Sequence, residues 1–277
     1  MIYQAFGHKI YLITRSLFHL ERNNCLMPFD VSSVRARLPG REIEWFQSVS
    51  STMTIAARLA RDGCASGTIV GADGQVAGIG RHGHAWHSEA CAGLYVSIVL
   101  RLPVAARDLP LVMLALGLGT QEAITQVTGL AADLRWPNDV LIGDRKCAGI
   151  LAQLDGDAVI AGIGINVNHT QFPTEIAPLA TSLYLAGRRS VSREDLLVSL
   201  VHDVEGCCNI LSDEGAPAIL RMFTRASSYA SGRRVRVDQQ DLHLEGVTCG
   251  LDPAGFLVIR SDDGKETTIL AGGVRAA

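Results

Sequence analysis

Residues 134–167 read LRWPNDVLIGDRKCAGILAQLDGDAVIAGIGINV. Four short apolar segments, 134–136, 140–142, 146–154 and 158–167, are separated by polar turns, including Gly143-Asp144 and Gly156-Asp157. Turn chemistry between alternating apolar residues predicts antiparallel strands, the last two forming a hairpin. On the N-terminal side, 109–127 predicts a long apolar-faced helix ended by Gly129. Segments 43–47, 68–72 and 94–102 predict further strands. Ser50-Ser51-Thr52 supplies N-cap hydroxyls for a helix that carries Ile55, Leu59 and Ala60 inward and closes at Gly63. Ser192 and Asp195 form a capping box before a helix over 196–211. After Ala230 the pattern becomes four short strands, 234–237, 243–249, 256–260 and 267–270, which a small β barrel closes most simply. The class is therefore α+β, with no internal repeat.

A chain of 277 residues holds one sizeable catalytic core and a small appended domain. With 48% hydrophobic and 19% charged residues and a net charge of -3, it is neither a disordered nor a nucleic-acid-coating protein. Lys9, Arg15, Glu21 and Arg22 interrupt the apolar runs of the first 29 residues, so neither a secretory leader nor a membrane span is expected there, and a cytoplasmic location is. Seven cysteines without a C-x-x-C pair fit reduced thiols better than a disulfide framework. Residues before Arg41 are poorly patterned, and Met27-Pro28-Phe29-Asp30 resembles a fresh start, so the first 26 residues are expected to be dispensable.

Three segments carry chemistry. Gly78-Ile79-Gly80-Arg81-His82-Gly83 satisfies G-x-G-x-x-G, but a strand follows instead of a helix, and no acidic residue near position 100 serves a ribose. Glycines that admit an anionic ligand, with Arg81 gripping it, form one reading; a mobile surface loop is the other. Around Trp136-Pro137-Asn138-Asp139, proline fixes the turn, so Asn138 and Asp139 either hold positions for a metal, ribose or amine or satisfy their own backbone. Lys146 at a strand start points into a cleft near Asp139 or is solvated, with Ala148 and Gly149 leaving room for a ligand. Asn166 and Asn168 alternate on one face of the hairpin's end, as ligand groups or strand caps. A zinc site from His82, His84, His87 and Cys91 matches no closed-site spacing, and no metal site is expected.

Taken in order, Ser51-Thr52, Gln75 with the run from Gly78 to Trp86, Trp136-Pro137-Asn138-Asp139, Lys146 with Gly149, and Gly164-Ile165-Asn166-Val167-Asn168 resemble the biotin protein ligases, from Ile43 to the end of the chain. The resemblance implies a class II synthetase-like mixed sheet with helices on one side, spanning 41–230, a C-terminal SH3-like β barrel over 231–277, and an extension over 1–40. It implies activation of biotin with Mg·ATP to biotinyl-5'-AMP, then transfer to a lysine of a biotin carboxyl carrier domain of acetyl-CoA carboxylase or a related carboxylase. It assigns Ser51, Thr52, Gln75, Gly78, Arg81, Lys146 and Gly149 to biotin, and Arg81, Trp86, Asn138, Lys146, Asn166 and Asn168 to the nucleotide, with Trp86 stacking on adenine. Arg81, Lys146 and Asp139 would be catalytic, Asp139 orienting or deprotonating the acceptor amine. Members of the family are monomers or homodimers.

The likeness is incomplete in the loop, where Ile79 and His84 stand at positions usually arginine, and Arg135 replaces a usual lysine. A hydrogen bond to a charged group contributes roughly 1.5 to 3 kcal/mol, so each lost contact would loosen the adenylate about tenfold or more. Histidines ordinarily titrate near ~6.5 and would restore the charge in acid, an expectation that a flat pH profile of biotinyl-AMP release would overturn. A DNA-binding repressor is disfavoured, since the segment before Arg41 shows no helix-turn-helix and no basic helix. A lipoate or octanoate ligase or transferase shares the fold, and a non-catalytic biotin-binding module is the third alternative.

Overall fold

The computed structural model describes residues 28–239 and 242–277. The expected dispensability of residues 1–26 lies outside them. Seven strands, β1 (Ile43–Phe46), β2 (Ile69–Ala72), β3 (Gly93–Leu100), β4 (Asp133–Arg135), β5 (Asp139–Ile142), β6 (Arg145–Asp155) and β7 (Ala158–Asn166), form one sheet in the order β1-β2-β3-β7-β6-β5-β4. β1 and β2 are parallel and every other neighbouring pair is antiparallel. The hairpin β6–β7 turns at Gly156, in the left-handed region at φ 61° that glycine adopts without a side-chain clash. Among the described residues, six α-helices complete the architecture: α1 (Val31–Arg37), α2 (Thr52–Arg61), α3 (Leu109–Thr128), α4 (Leu183–Gly187), α5 (Arg193–Glu214) and α6 (Ala216–Ala226).

Strand alternation divides the core between the two faces of the sheet. Ile69, Ile98, Val159 and Ile163 belong to the large core with α3 and α5, whereas Val70, Val99 and Ile160 pack with Met53 and Ala56 of α2 on the other face. The bulk of the helices thus covers one side, and α2 alone lies beside the open part of the other. α3 closes at Gly129 with φ 72°, and it approaches α5 so closely that a Cβ on Gly119 would lie 2.6 Å from the Val204 backbone. No described helix is long and apolar enough to cross a membrane.

Residues 28–40 are more ordered than their pattern predicts. Phe29 stacks on Trp45 with ring centroids 3.5 Å apart, Val34 is fully buried, and the Asp30 N–H donates to Glu194 of α5 at 2.8 Å. Phe29→Ala is therefore expected to cost about 3 kcal/mol of unfolding free energy. Denaturant titration checks this, and a loss below about 1 kcal/mol would mean that α1 adds little to the core.

The second sheet has five antiparallel strands, one more than the sequence pattern predicts: β8 (Ser231–Gln239), β9 (Leu242–Leu251), β10 (Leu257–Arg260), β11 (Glu266–Ile269) and β12 (Gly273–Ala276), ordered β11-β10-β9-β8-β12. Trp136 ties the two sheets together, its indole N–H donating to the Gly255 carbonyl at 2.9 Å.

Candidate active site

The long connection between β2 and β3 is a hairpin-like flap. It first runs beside the chain entering α2, Val76 and Ala77 donating to the carbonyls of Val49 and Ser50 at 2.9 Å each. It then doubles back: the Trp86 N–H donates to Gly78 at 2.9 Å and the Gly80 N–H to His84 at 2.7 Å, with the tight turn Arg81–Gly83 at the tip. Gly83 takes φ 76° there. The foot of the flap is held by a buried ion pair, Arg193 to Asp73 at 2.8 Å, and by the Cys91 N–H donating to the Asp73 carbonyl at 2.9 Å.

Trp86 lies against bare backbone. Gly149 and Gly164 are register partners across β6 and β7, and a Cβ on either would meet the indole, at 2.7 Å from Gly149 and 2.6 Å from Gly164. Gly162 leaves the same kind of space to Met53. The glycines of β7 fall on one face because strand side chains alternate, and that face is the one that α2 leaves open.

Two cavities meet under the flap. A narrow slot of about 50 Å³ is lined by Ser51, Thr52, Gln75 and Gly149, and a wider cleft of about 450 Å³ by Arg135, Asp139, Asn166 and residues 272–275 of the second sheet. Gly80, Arg81, Trp86, Asn138 and Lys146 line both.

The slot ends in amide and hydroxyl groups. Gln75 Oε1 accepts from the Thr52 N–H at 2.9 Å and its hydroxyl at 3.2 Å, and Gln75 Nε2 donates to Ser88 Oγ at 3.2 Å. Thr52 also shares a hydrogen bond of 2.8 Å with buried Ser97. Ser51, expected to cap α2, does not: its side chain makes no cap bond, and its buried hydroxyl has no partner. A Cβ on Gly78 would meet the Trp86 carbonyl at 2.8 Å, Ser88 Oγ at 3.0 Å and Gln75 Nε2 at 3.1 Å, so the absence of a side chain there leaves the amide its place.

Charge collects at the junction. Lys146 Nζ is 2.5 Å from Asp139 Oδ1, and Arg135 reaches Asp139 Oδ2 at 2.6 Å. Burial alone would raise the Asp139 pKa, but the two cations outweigh it and hold the carboxyl below the ordinary carboxylate range. Because the folded value lies below the unfolded one, the clamp contributes at neutral pH and is lost only as pH falls through that depressed value. Arg81 donates to Asn138 Oδ1 at 3.1 Å; burial lowers its pKa and nearby Asp139 raises it, with burial the stronger. The Lys146 backbone is pinned on both sides, its N–H donating to Leu179 and its carbonyl accepting from Thr181. Its ammonium sits 5.2 Å over the Trp86 ring.

Most residues singled out in the sequence therefore converge here. Asn168 does not: its amide bonds the Val191 backbone in both directions, at 2.9 and 3.0 Å, and lines neither cavity. Asn166 lines the cleft but donates to the Thr181 carbonyl at 3.0 Å, bracing the segment that pins Lys146. The strand-cap reading of both asparagines fits these bonds. Sequence reasoning missed Ser88, Ser97 and the Asp73–Arg193 anchor, whose partners are distant along the chain. Cys64, Cys147, Cys207, Cys208 and Cys249 are free thiols.

Comparison with known proteins places these features in a family. Residues 45–169 match the Biotin/lipoate A/B protein ligase family. A biotin--[acetyl-CoA-carboxylase] ligase of Mycobacterium tuberculosis is 32% identical over 266 residues, covering 91% of this chain and 97% of that one. The bifunctional ligase/repressor BirA of Bacillus subtilis is 30% identical over 83% of this chain and 73% of its own. Among solved structures, the biotin protein ligase from Aquifex aeolicus in complex with biotin and ATP has a TM-score of 0.75 at 29% identity, covering 85% of this chain and 99% of that one. With a mixed sheet of the same fold and a relative that is 32% identical along nearly the whole of both chains, this chain belongs to the biotin protein ligases.

Proposed function

We propose that the chain activates biotin with ATP and transfers the biotinyl group to a lysine of a biotin carboxyl carrier domain, that of acetyl-CoA carboxylase or a related enzyme. The observation that carries this reading is the junction, where Arg81 and Lys146 line both the polar-ended slot and the wider cleft. Biotin's ureido head fits the Ser51, Thr52 and Gln75 end, which brings its carboxylate toward the cations. A carboxylate oxygen attacks the ATP α-phosphorus, the bond to pyrophosphate breaks, and biotinyl-AMP forms. Arg81 and Lys146 lower the barrier by meeting negative charge with preorganised positive charge in a partly dry site. Trp86 and the Asn138 loop hold the adenosine end.

In the second step the acceptor amine attacks the acyl carbon and AMP leaves. Asp139, held below the ordinary carboxylate range between two cations, is a weak base, so its part is to orient the amine and fix Lys146. It is the one carboxylate among the residues lining the two cavities, and both its oxygens are engaged. These residues do not build a resident magnesium cage, and Mg²⁺ is taken to arrive on the nucleotide's phosphates.

Incubation with biotin, Mg·ATP and an acceptor domain, read by mass, is expected to add one biotinyl group, with lipoate inert. Labelling by lipoate in place of biotin would assign the chain to the related ligases, and biotin binding without pyrophosphate exchange would leave a binding module. Ser51→Ala is expected to leave the melting temperature unchanged or slightly higher, because an unpartnered buried hydroxyl is removed. Biotin affinity, by calorimetry, should fall about tenfold, the worth of one hydrogen bond near 1.4 kcal/mol. An unchanged dissociation constant would place the biotin head elsewhere.

A further inference from the structure

At the foot of the flap, His87, Glu89 and His169 each bring one ligating atom within 4.8 Å of the other two. His169 lies just past the end of β7, fully buried, with its ring stacked on Phe172 at 5.1 Å. Its Nδ1 is buried and has no hydrogen-bond partner. The other nitrogen, Nε2, is 3.2 Å from the Tyr95 hydroxyl, and that hydroxyl donates to the Glu89 carbonyl at 2.9 Å. A phenol has a single proton, so Tyr95 receives from His169 and the imidazole is the Nε2–H tautomer. Nδ1 then presents a bare lone pair. An imidazole whose second nitrogen donates to a fixed acceptor is the arrangement that orients metal-ligating histidines.

We propose that His87, Glu89 and His169 bind a divalent transition-metal ion of the zinc class, which ties the foot of the flap to the end of β7. Two imidazoles and a carboxylate match the donor set of three-ligand zinc sites, with water in the fourth position. Softer thiolate donors are absent from the cluster, and a wholly oxygen-ligated ion such as Mg²⁺ is disfavoured by the two nitrogens. His87 follows Trp86 directly and lines the wide cleft, so an ion held there would restrict the strand of the flap that carries the indole. This proposal does not rest on the adenylation chemistry.

The test uses the full chain, stripped with chelator and titrated with zinc alone by calorimetry, and with Co²⁺ to read coordination by its visible absorption. One equivalent is expected, with Co²⁺ bands of a four-coordinate nitrogen and oxygen site. Glu89→Gln, at an exposed position that disturbs no packing, and His87→Ala should each weaken binding at least about tenfold. Tyr95→Phe keeps the ring and removes the hydroxyl that orients His169, and should weaken it about 10- to 100-fold. Zinc should also slow amide exchange over residues 78–92. Absence of stoichiometric binding, or binding that survives both His87→Ala and Glu89→Gln, would overturn the site and leave His87, His169 and Phe172 as an aromatic cluster.

Discussion

Replacing Lys146 by alanine is expected to lower biotin-dependent ATP–pyrophosphate exchange by about 100- to 1000-fold, the range found when one donor to a developing charge is removed. The ammonium lines both cavities, where a carboxylate and a phosphate must approach despite their like charge. The fold should survive, because Asp139 keeps its 2.6 Å bond to Arg135 and the pinning bonds of residue 146 are made by its backbone. Lys146→Arg is not a conservative control. It preserves charge, but the ammonium and the indole lie so close to the Gly149 backbone that an added Cβ there would meet Nζ at 2.9 Å and the ring at 2.7 Å, and a planar guanidinium is bulkier than the ammonium it would replace in that space. Exchange within about threefold of the unaltered chain in Lys146→Ala would remove Lys146 from the adenylation step and leave Arg81 as the cation to test.

Much of this site is legible in the sequence because its elements are local. The turn at Gly156-Asp157 and the alternation on either side define β6 and β7 within a few residues, and their register then sets Gly149 opposite Gly164. The same holds for α3, whose apolar face and terminal Gly129 are contiguous signals. What stays hidden depends on distant partners. The helix Val31–Arg37 has two turns and few apolar residues, and its order comes from packing on α5, far along the chain, and on the neighbouring β1. β12 has one buried residue, Val274, so no alternation announces it. Ser51 stands where a helix cap belongs, and only the surrounding pocket shows that its hydroxyl is left for something else. Asn168 shares a strand face with Asn166, yet an amide that satisfies a backbone two dozen residues away looks the same in sequence as one that awaits a ligand. His169 carried no signal, since the groups that define its tautomer, the Tyr95 hydroxyl on β3 and the Glu89 carbonyl in the flap, lie far back along the chain.

Gly164→Ala tests whether the indole is a functional wall or an incidental neighbour. Gly164 does not have a positive φ, so alanine costs no backbone strain and its effect is confined to the space it fills. The new methyl would sit 2.6 Å from Trp86 Cε2 and Nε1, well inside ordinary contact, and strand β7 cannot retreat because both its edges are paired, to β3 and to β6. The ring must therefore move by close to an ångström, taking the descending arm of the flap with it. A displacement of about 1 Å in a positioning group costs on the order of 100-fold, so kcat/KM for ATP is expected to fall by about that factor. Gly206→Ala in α5 is the matched control: nothing lies within 4 Å of its Cβ, and alanine inside a helix is expected to stabilise by about 0.5 to 1 kcal/mol with activity unchanged. If Gly164→Ala kept its kcat/KM for ATP within about twofold, the indole would have no part in holding the nucleotide, and the slot and cleft would have to work with Arg81, Asn138 and Lys146 alone.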